Sequence, residues 1–258
     1  MKKHRFATAG LLLCFLAGGC SEAGTDKTAE ETVLTVSAAS SLQDVMEDIA
    51  LAFQEDHPTI DIRLNLGASG SLSAQIEQGA PVDLFISASV EKFHDLTEQK
   101  LIEEQMNLAR NELVLIVPAE SDGQVQQFRD LTEEHVEKVA IGTASVVPAG
   151  TYGKQALEHY EVWDSIEKKI VYAKDVRQVL TYVETNNVQA GIVYKTDALA
   201  SHKVKIAETA EEDSHDAIIY PAGVISRTEY PEEAALFFQY LTSEEAQNSW
   251  ETYGFTME

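Results

Sequence analysis

Apolar residues change their spacing several times along this chain, and each change predicts a boundary between elements. Val33 to Ser37 is a short β-branched run that reads as a strand. Leu42, Val45, Met46, Ile49, Ala50 and Phe53 then recur at helical spacing until His57 and Pro58 end the pattern. Ile60 to Leu66 alternates as a strand does, Ser71 to Gln78 reads as a helix, and Asp83 to Ser87 as another short strand. Further apolar strands are predicted at Leu113 to Val117, Val139 to Gly142, Ile170 to Tyr172, Gly191 to Tyr194 and Ala217 to Ser226. Helical patterns lie between them, such as Val176, Val179, Leu180 and Val183. Glu232 to Tyr253 reads as two helices, broken at Thr242 or Ser243 and stopped by Gly254. Strands alternating with helices predict mainly parallel α/β sheets with helices on both faces.

One apolar run fits neither period. Leu11 to Cys20, preceded by Lys2, Lys3 and Arg5, is far shorter than the ~18 to 20 residues that span a membrane, and small residues stand just before Cys20. The stretch resembles a bacterial lipoprotein signal. That resemblance implies that residues 1–19 are removed and that Cys20 becomes a lipidated N-terminus. An ordinary signal peptide cut near Ala17 to Gly19 is the alternative. Residues 20–32 are small and polar and read as a flexible tether. The expected location is outside the cytoplasm, lipid-anchored to the outer face of the cell membrane.

Loss of Lys2, Lys3 and Arg5 takes the formal charge from −24 to about −27, which makes nucleic acid and anionic membrane surfaces poor partners. Cys14 and Cys20 are the only cysteines, so the processed chain has none for a disulfide and must be held by packing. About 225 residues remain from Val33 onward, enough for one large domain or two smaller ones. The histidines are scattered without a His-Glu-x-x-His pair, and Glu208 to Asp216 with His215 reads as a solvated acidic loop, so no metal site is predicted.

The candidate chemistry lies in the turns that precede helices. Ala38–Ala39–Ser40–Ser41 places Ser41 about where a helix cap would sit, with hydroxyl and unpaired backbone N–H groups beyond the end of the first strand. Gly67–Ala68–Ser69–Gly70–Ser71 repeats the arrangement after the second strand, where small residues admit a ligand close to the backbone. Val146–Val147–Pro148–Ala149–Gly150–Thr151 and Lys174–Asp175–Val176 open two more helices, with Asp175 as a cap. Tyr194 ends a strand and carries a hydroxyl that could enter the same crevice. Such turns suit an anion at the carboxyl ends of the strands. The enzyme alternative is a serine hydrolase built on Ser69, but its nucleophile elbow needs Gly two residues after the serine, where this chain has Ser71.

Together, Ala38 to Leu42, Gly67 to Gly70, Gln75 to Ala88, Val147 to Gly150, Asp175 to Leu180, Gly191 to Tyr194 and Tyr253 to Phe255 resemble the molybdate-binding proteins of bacterial ABC transporters, in order from about Val33 to the C-terminus. The resemblance implies that Ser41 and Ser69 each give a hydroxyl and a backbone N–H to the oxyanion, that Ala149 and Val176 give backbone N–H groups, and that Tyr194 gives its hydroxyl. It also implies an α/β, type II periplasmic-binding-protein fold, with two α/β lobes joined by a two-strand hinge. One lobe would comprise 33–111 plus 222–258 and the other 112–221. The implied function is capture of molybdate or tungstate by a monomer and delivery to the membrane permease of an ABC transporter, with no cofactor and no catalysis. Sulfate or another small oxyanion is the alternative ligand.

Overall fold

The computed structural model describes residues 31–258. The expected signal, most of the tether and Cys20 lie outside the described residues.

The described chain begins with β1 (Thr32–Ala39), a 3-10 turn at Ser40–Leu42, α1 (Gln43–Asp56), β2 (Ile60–Gly67), α2 (Ser69–Glu77), β3 (Leu84–Ile86), α3 (Val90–Glu98) and β4 (Ile102–Arg110). There follow β5 (Leu113–Pro118), β6 (Val139–Gly142), α4 (Pro148–His159), α5 (Trp163–Ile166), β7 (Ile170–Ala173), α6 (Val176–Glu184), β8 (Ala190–Tyr194), α7 (Lys195–Leu199) and β9 (Val204–Thr209). The chain closes with β10 (Ile219–Ile225), α8 (Pro231–Tyr240), α9 (Glu244–Thr252) and β11 (Thr256–Met257).

These strands form two sheets, in the orders β11-β4-β10-β3-β1-β2 and β7-β6-β8-β5-β9. The sheets are mixed, which corrects the expectation of mainly parallel ones. β1 runs parallel to β2 and β3, and β6 parallel to β7 and β8. The strands on either side of the crossings run the other way: β10 is antiparallel to β3 and β4, and β5 to β8 and β9. A chain that enters or leaves a sheet by direct connection, without a covering helix, is free to pair antiparallel.

Alternation along the strands decides what each face covers. Leu84 and Ile86 face the large core that holds Val45, Met46, Ile49 and Phe53 of α1 and Phe237 of α8, whereas Phe85 between them faces Leu72, Ile76, Phe93 and Leu96 of α2 and α3. The first sheet is thus covered on both faces. In the second sheet, Gly191 backs onto Val179 and Val183 of α6, and the adjacent Ile192 meets Gly153 of α4.

The two sheets are joined at Asn111–Glu112, between β4 and β5, and at residues 210–218, between β9 and β10. The connections touch, since the Asn111 N–H donates to Ile218 O at 3.2 Å. β10 re-enters the first sheet at Ile219, and its ladder with β4 is irregular between Tyr220 and Pro221, where proline lacks a donor; Pro221 O accepts from Ser87 N–H at 2.9 Å. No helix of the described residues is long and apolar enough to cross a membrane.

Candidate functional site

Five strands of the two sheets end facing one small space, and the turns beyond them supply its walls. Ser41, Ser69, Ala149, Val176 and Tyr194, predicted from five separate stretches, all line a single cavity of about 10 Å³, together with Ser40, Ala68, Ala88 and Pro148 among others. None of the lining side chains carries a charge. The predicted residues are all buried.

Each turn offers donors for a local reason. Ser41 does not cap a helix, contrary to expectation. It sits inside the 3-10 turn, α1 starts from Leu42 without a side-chain cap, and the Ser41 Oγ lies 3.0 Å from Tyr220 Oη instead. Ser69 is the first residue of α2, which begins two residues ahead of the expected Ser71. Its Oγ accepts the Ala88 N–H at 2.9 Å, so the hydroxyl proton must point elsewhere and Ser69 serves as a donor. Pro148 opens α4 with no N–H of its own to satisfy, which makes Ala149 the first donor of that helix. Asp175 caps α6, its carboxylate taking the Gln178 N–H at 2.8 Å, and leaves the Val176 N–H unspent. Among the described residues, the backbone N–H groups of Ser41, Ser69, Ala149 and Val176 meet no protein acceptor, as expected of first-turn positions.

Tyr194 completes the set. It ends β8 with its ring 6.0 Å from that of Tyr220, and its buried hydroxyl has no hydrogen-bond partner. Burial holds its pKa well above the ordinary tyrosine value, so it remains an O–H donor. Counting four backbone N–H groups, two serine hydroxyls and this phenol, the walls present donors and no anionic group. The N-terminal ends of α2, α4 and α6 add positive partial charge at the same place.

Three contacts tie the two sides of the cavity. The Gly70 N–H donates to Val146 O at 3.0 Å, the Tyr152 hydroxyl to Ala88 O at 3.4 Å, and Arg177 on α6 pairs with Asp44 on α1. Arg177 Nε also lies 3.0 Å from Asp197 Oδ1, although the two are not aligned for a hydrogen bond. Asp197 is fully buried, and desolvation pushes its pKa up to about 6 despite Arg177, with Asp44 and Asp175 adding to the rise.

That carboxyl makes stability depend on pH in a direction opposite to a surface carboxylate. Its folded value is above the ~3.9 of an unfolded aspartate, so the folded chain holds the proton more tightly. The stabilisation is complete below pH ~4 and is lost as pH rises through about 6. Asp197→Asn, which keeps the shape without the charge, is expected to gain on the parent by up to about 3 kcal/mol between pH 4 and 7. Melting temperatures of both proteins across that range test this, and a constant difference between them would refute it.

Tyr220, Asn111 and Ala88 were not predicted as site residues. Their links to it span 179 residues for Tyr220 with Ser41, 109 for Asn111 with Tyr220 and 19 for Ala88 with Ser69. Away from the cavity, His159, Glu211 and Asp213 place ligating atoms within 4.8 Å of one another, all three exposed.

The family model described as bacterial extracellular solute-binding protein matches residues 34–256. YvgL of Bacillus subtilis (strain 168), provisionally named an ABC transporter substrate-binding lipoprotein, is 47% identical over 260 residues, covering 100% of this chain and 99% of its own. The molybdate-binding protein ModA of Escherichia coli (strain K12) is 36% identical over 255 residues, covering 96% of each. Among solved structures, the periplasmic molybdate-binding protein of Azotobacter vinelandii superposes with a TM-score of 0.79 over 87% of this chain and 99% of its own, at 21% identity.

Proposed function

The chain belongs to the bacterial extracellular solute-binding proteins, and from that premise we propose that it captures molybdate, and tungstate with it, and delivers the anion to the permease of an ABC transporter. The fold is the two-lobe type II fold of periplasmic binding proteins, with 33–111 plus 222–258 as one lobe and 112–221 as the other in our reading, a boundary that falls within β10, whose residues from Ile219 already pair with β4 of the first sheet. Cys20 is its lipid anchor to the outer face of the cell membrane, and the working unit is a monomer.

The observation that carries the reading is the Tyr194 hydroxyl, buried without a partner at a cavity lined by no charged side chain. Buried donors without acceptors are rare in native proteins, and an acceptor-only ligand is what such a set satisfies. A tetrahedral dianion offers acceptors in every direction. Donors to a charged group contribute roughly 1.5 to 3 kcal/mol each, so seven of them offset the desolvation of the dianion and leave tight binding. No lysine or arginine is needed at the wall, and the negative charge of the body is screened beyond ~8 Å at physiological salt.

Selectivity follows from the same set. Hydrogen phosphate brings a proton that needs an acceptor, and the seven groups counted above all face the cavity as donors. Sulfate has no such proton, but its shorter bonds leave some donors out of reach. A calorimetric titration with molybdate, tungstate, sulfate and phosphate is expected to show tight binding of the first two only. Ser69→Ala, which removes one donor and leaves the Ala88 N–H without its acceptor, should weaken molybdate by about 10- to 100-fold. Equal binding of sulfate would overturn the ligand assignment, and no binding of any oxyanion would overturn the function.

A further inference from the structure

Behind Ser41 runs a chain of hydrogen bonds whose direction is fixed from its far end. Asn111 sits where the chain passes from β4 to β5, and its Oδ1 accepts the Glu112 N–H at 2.9 Å. That contact orients the amide, so Nδ2 faces the other way. Its two protons go to Thr196 Oγ1 at 2.9 Å and to Tyr220 Oη at 3.2 Å. Tyr220 is fully buried, packed between Tyr194 and Phe255, and has one proton of its own. Since its oxygen accepts from Asn111, that proton is donated to the remaining neighbour, Ser41 Oγ, at 3.0 Å. Ser41 is thereby an acceptor toward Tyr220, and its own proton is turned to the cavity.

We propose that Asn111 and Tyr220 are positioning residues that hold the Ser41 hydroxyl as a donor, and so set the preference of the site for oxyanions without a proton over those with one. The inference rests on the oxyanion-binding function proposed above. Freed from Tyr220, Ser41 can rotate and present a lone pair, which is what the hydroxyl of hydrogen phosphate requires. Ser69 needs no such relay, because a backbone N–H already occupies its oxygen. The two serines therefore reach the same donor state by different means, and only that of Ser41 depends on side chains. The relay also starts at a connection between the sheets and includes Thr196, two residues beyond Tyr194.

The test compares purified parent protein with Tyr220→Phe at pH 8, where phosphate is mainly the hydrogen phosphate dianion, measuring Kd for molybdate directly and for phosphate by displacement of molybdate. In Tyr220→Phe, molybdate is expected to weaken about tenfold while phosphate is unchanged or tighter, so that the preference for molybdate, taken as the ratio of the two constants, falls by about tenfold or more. Asn111→Ala, which leaves the Tyr220 hydroxyl in place but undirected, should move the ratio the same way by a smaller factor, and it carries the test if Tyr220→Phe does not fold. Loss of both anions by the same factor, as from a purely structural defect, overturns the proposal, as does an unchanged ratio in both variants. A parent protein that binds no oxyanion shows itself before any variant is made, and removes the function and this inference together.

Discussion

Gly70→Ala is expected to weaken molybdate binding by about a thousandfold or more while the unliganded protein melts within a few degrees of the parent. The backbone approaches across the cavity at this residue: a Cβ placed there would meet the Cα and carbonyl oxygen of Val146, both at 2.8 Å. Neither atom is the end of a flexible side chain, so the clash is relieved only by moving the α2 turn away from the loop before α4. That movement also breaks the bond from the Gly70 N–H to Val146 O. Three of the seven donors, those of Ala149, Val176 and Tyr194, then retreat from the two serines. At roughly 1.5 to 3 kcal/mol each, their combined loss exceeds the ~4 kcal/mol that a thousandfold represents. The clash spans the two sides of the cavity and touches neither sheet's own packing, which is why unliganded stability should be spared. Calorimetric titration beside a thermal melt separates the two effects. Affinity within tenfold of the parent would show that closure does not require this contact.

Gly150→Ala is expected to do the reverse, lowering stability first and binding as a consequence. The first turn of α4 rests on the end of β6 so closely that a Cβ on Gly150 would lie 2.0 Å from Gly142 O and 2.5 Å from Gly142 C. Both sides of that contact are backbone inside one sheet-and-helix layer, and opening the cavity does not relieve it. The helix must lift, loosening the packing of Ala156 and Leu157, which are fully buried. Overpacking typically costs 1–3 kcal/mol, and a contact this short belongs at or above the top of that range. At about 3 to 4 kcal/mol the melting temperature should fall by roughly 6 to 15 °C for a chain of this size. A melt unchanged within 2 °C would mean that the turn yields without cost.

How far the sequence reaches is seen by comparing particular segments. β5 and β6 are continuous apolar runs buried along their whole length, and such runs declare themselves. β4 does not, because Glu103, Glu104 and Gln105 are exposed and the strand owes its place to β10 and β11 rather than to its own pattern. α3 likewise buries only Phe93 and Leu96, too few apolar positions to mark a period. The turns that open α4 and α6 were legible, since Pro148 and Asp175 act locally on the helix they start. The role expected of Ser41 as a cap was displaced by Tyr220, a partner that only the fold brings near. Local grammar locates donors along the chain; which donor points where depends on contacts the chain order conceals.

The wall of the cavity is divided. Ser41 and Ser69 follow strands of the first sheet, whereas Ala149, Val176 and Tyr194 belong to the second. No group on either side needs to gain or lose a proton to let go, since the hydroxyls stay neutral and the amides do not titrate. Release is then a matter of distance alone. On the function proposed above, parting the halves would split one strong grip into two weak ones, and the anion would leave with the protein's charge state unaltered.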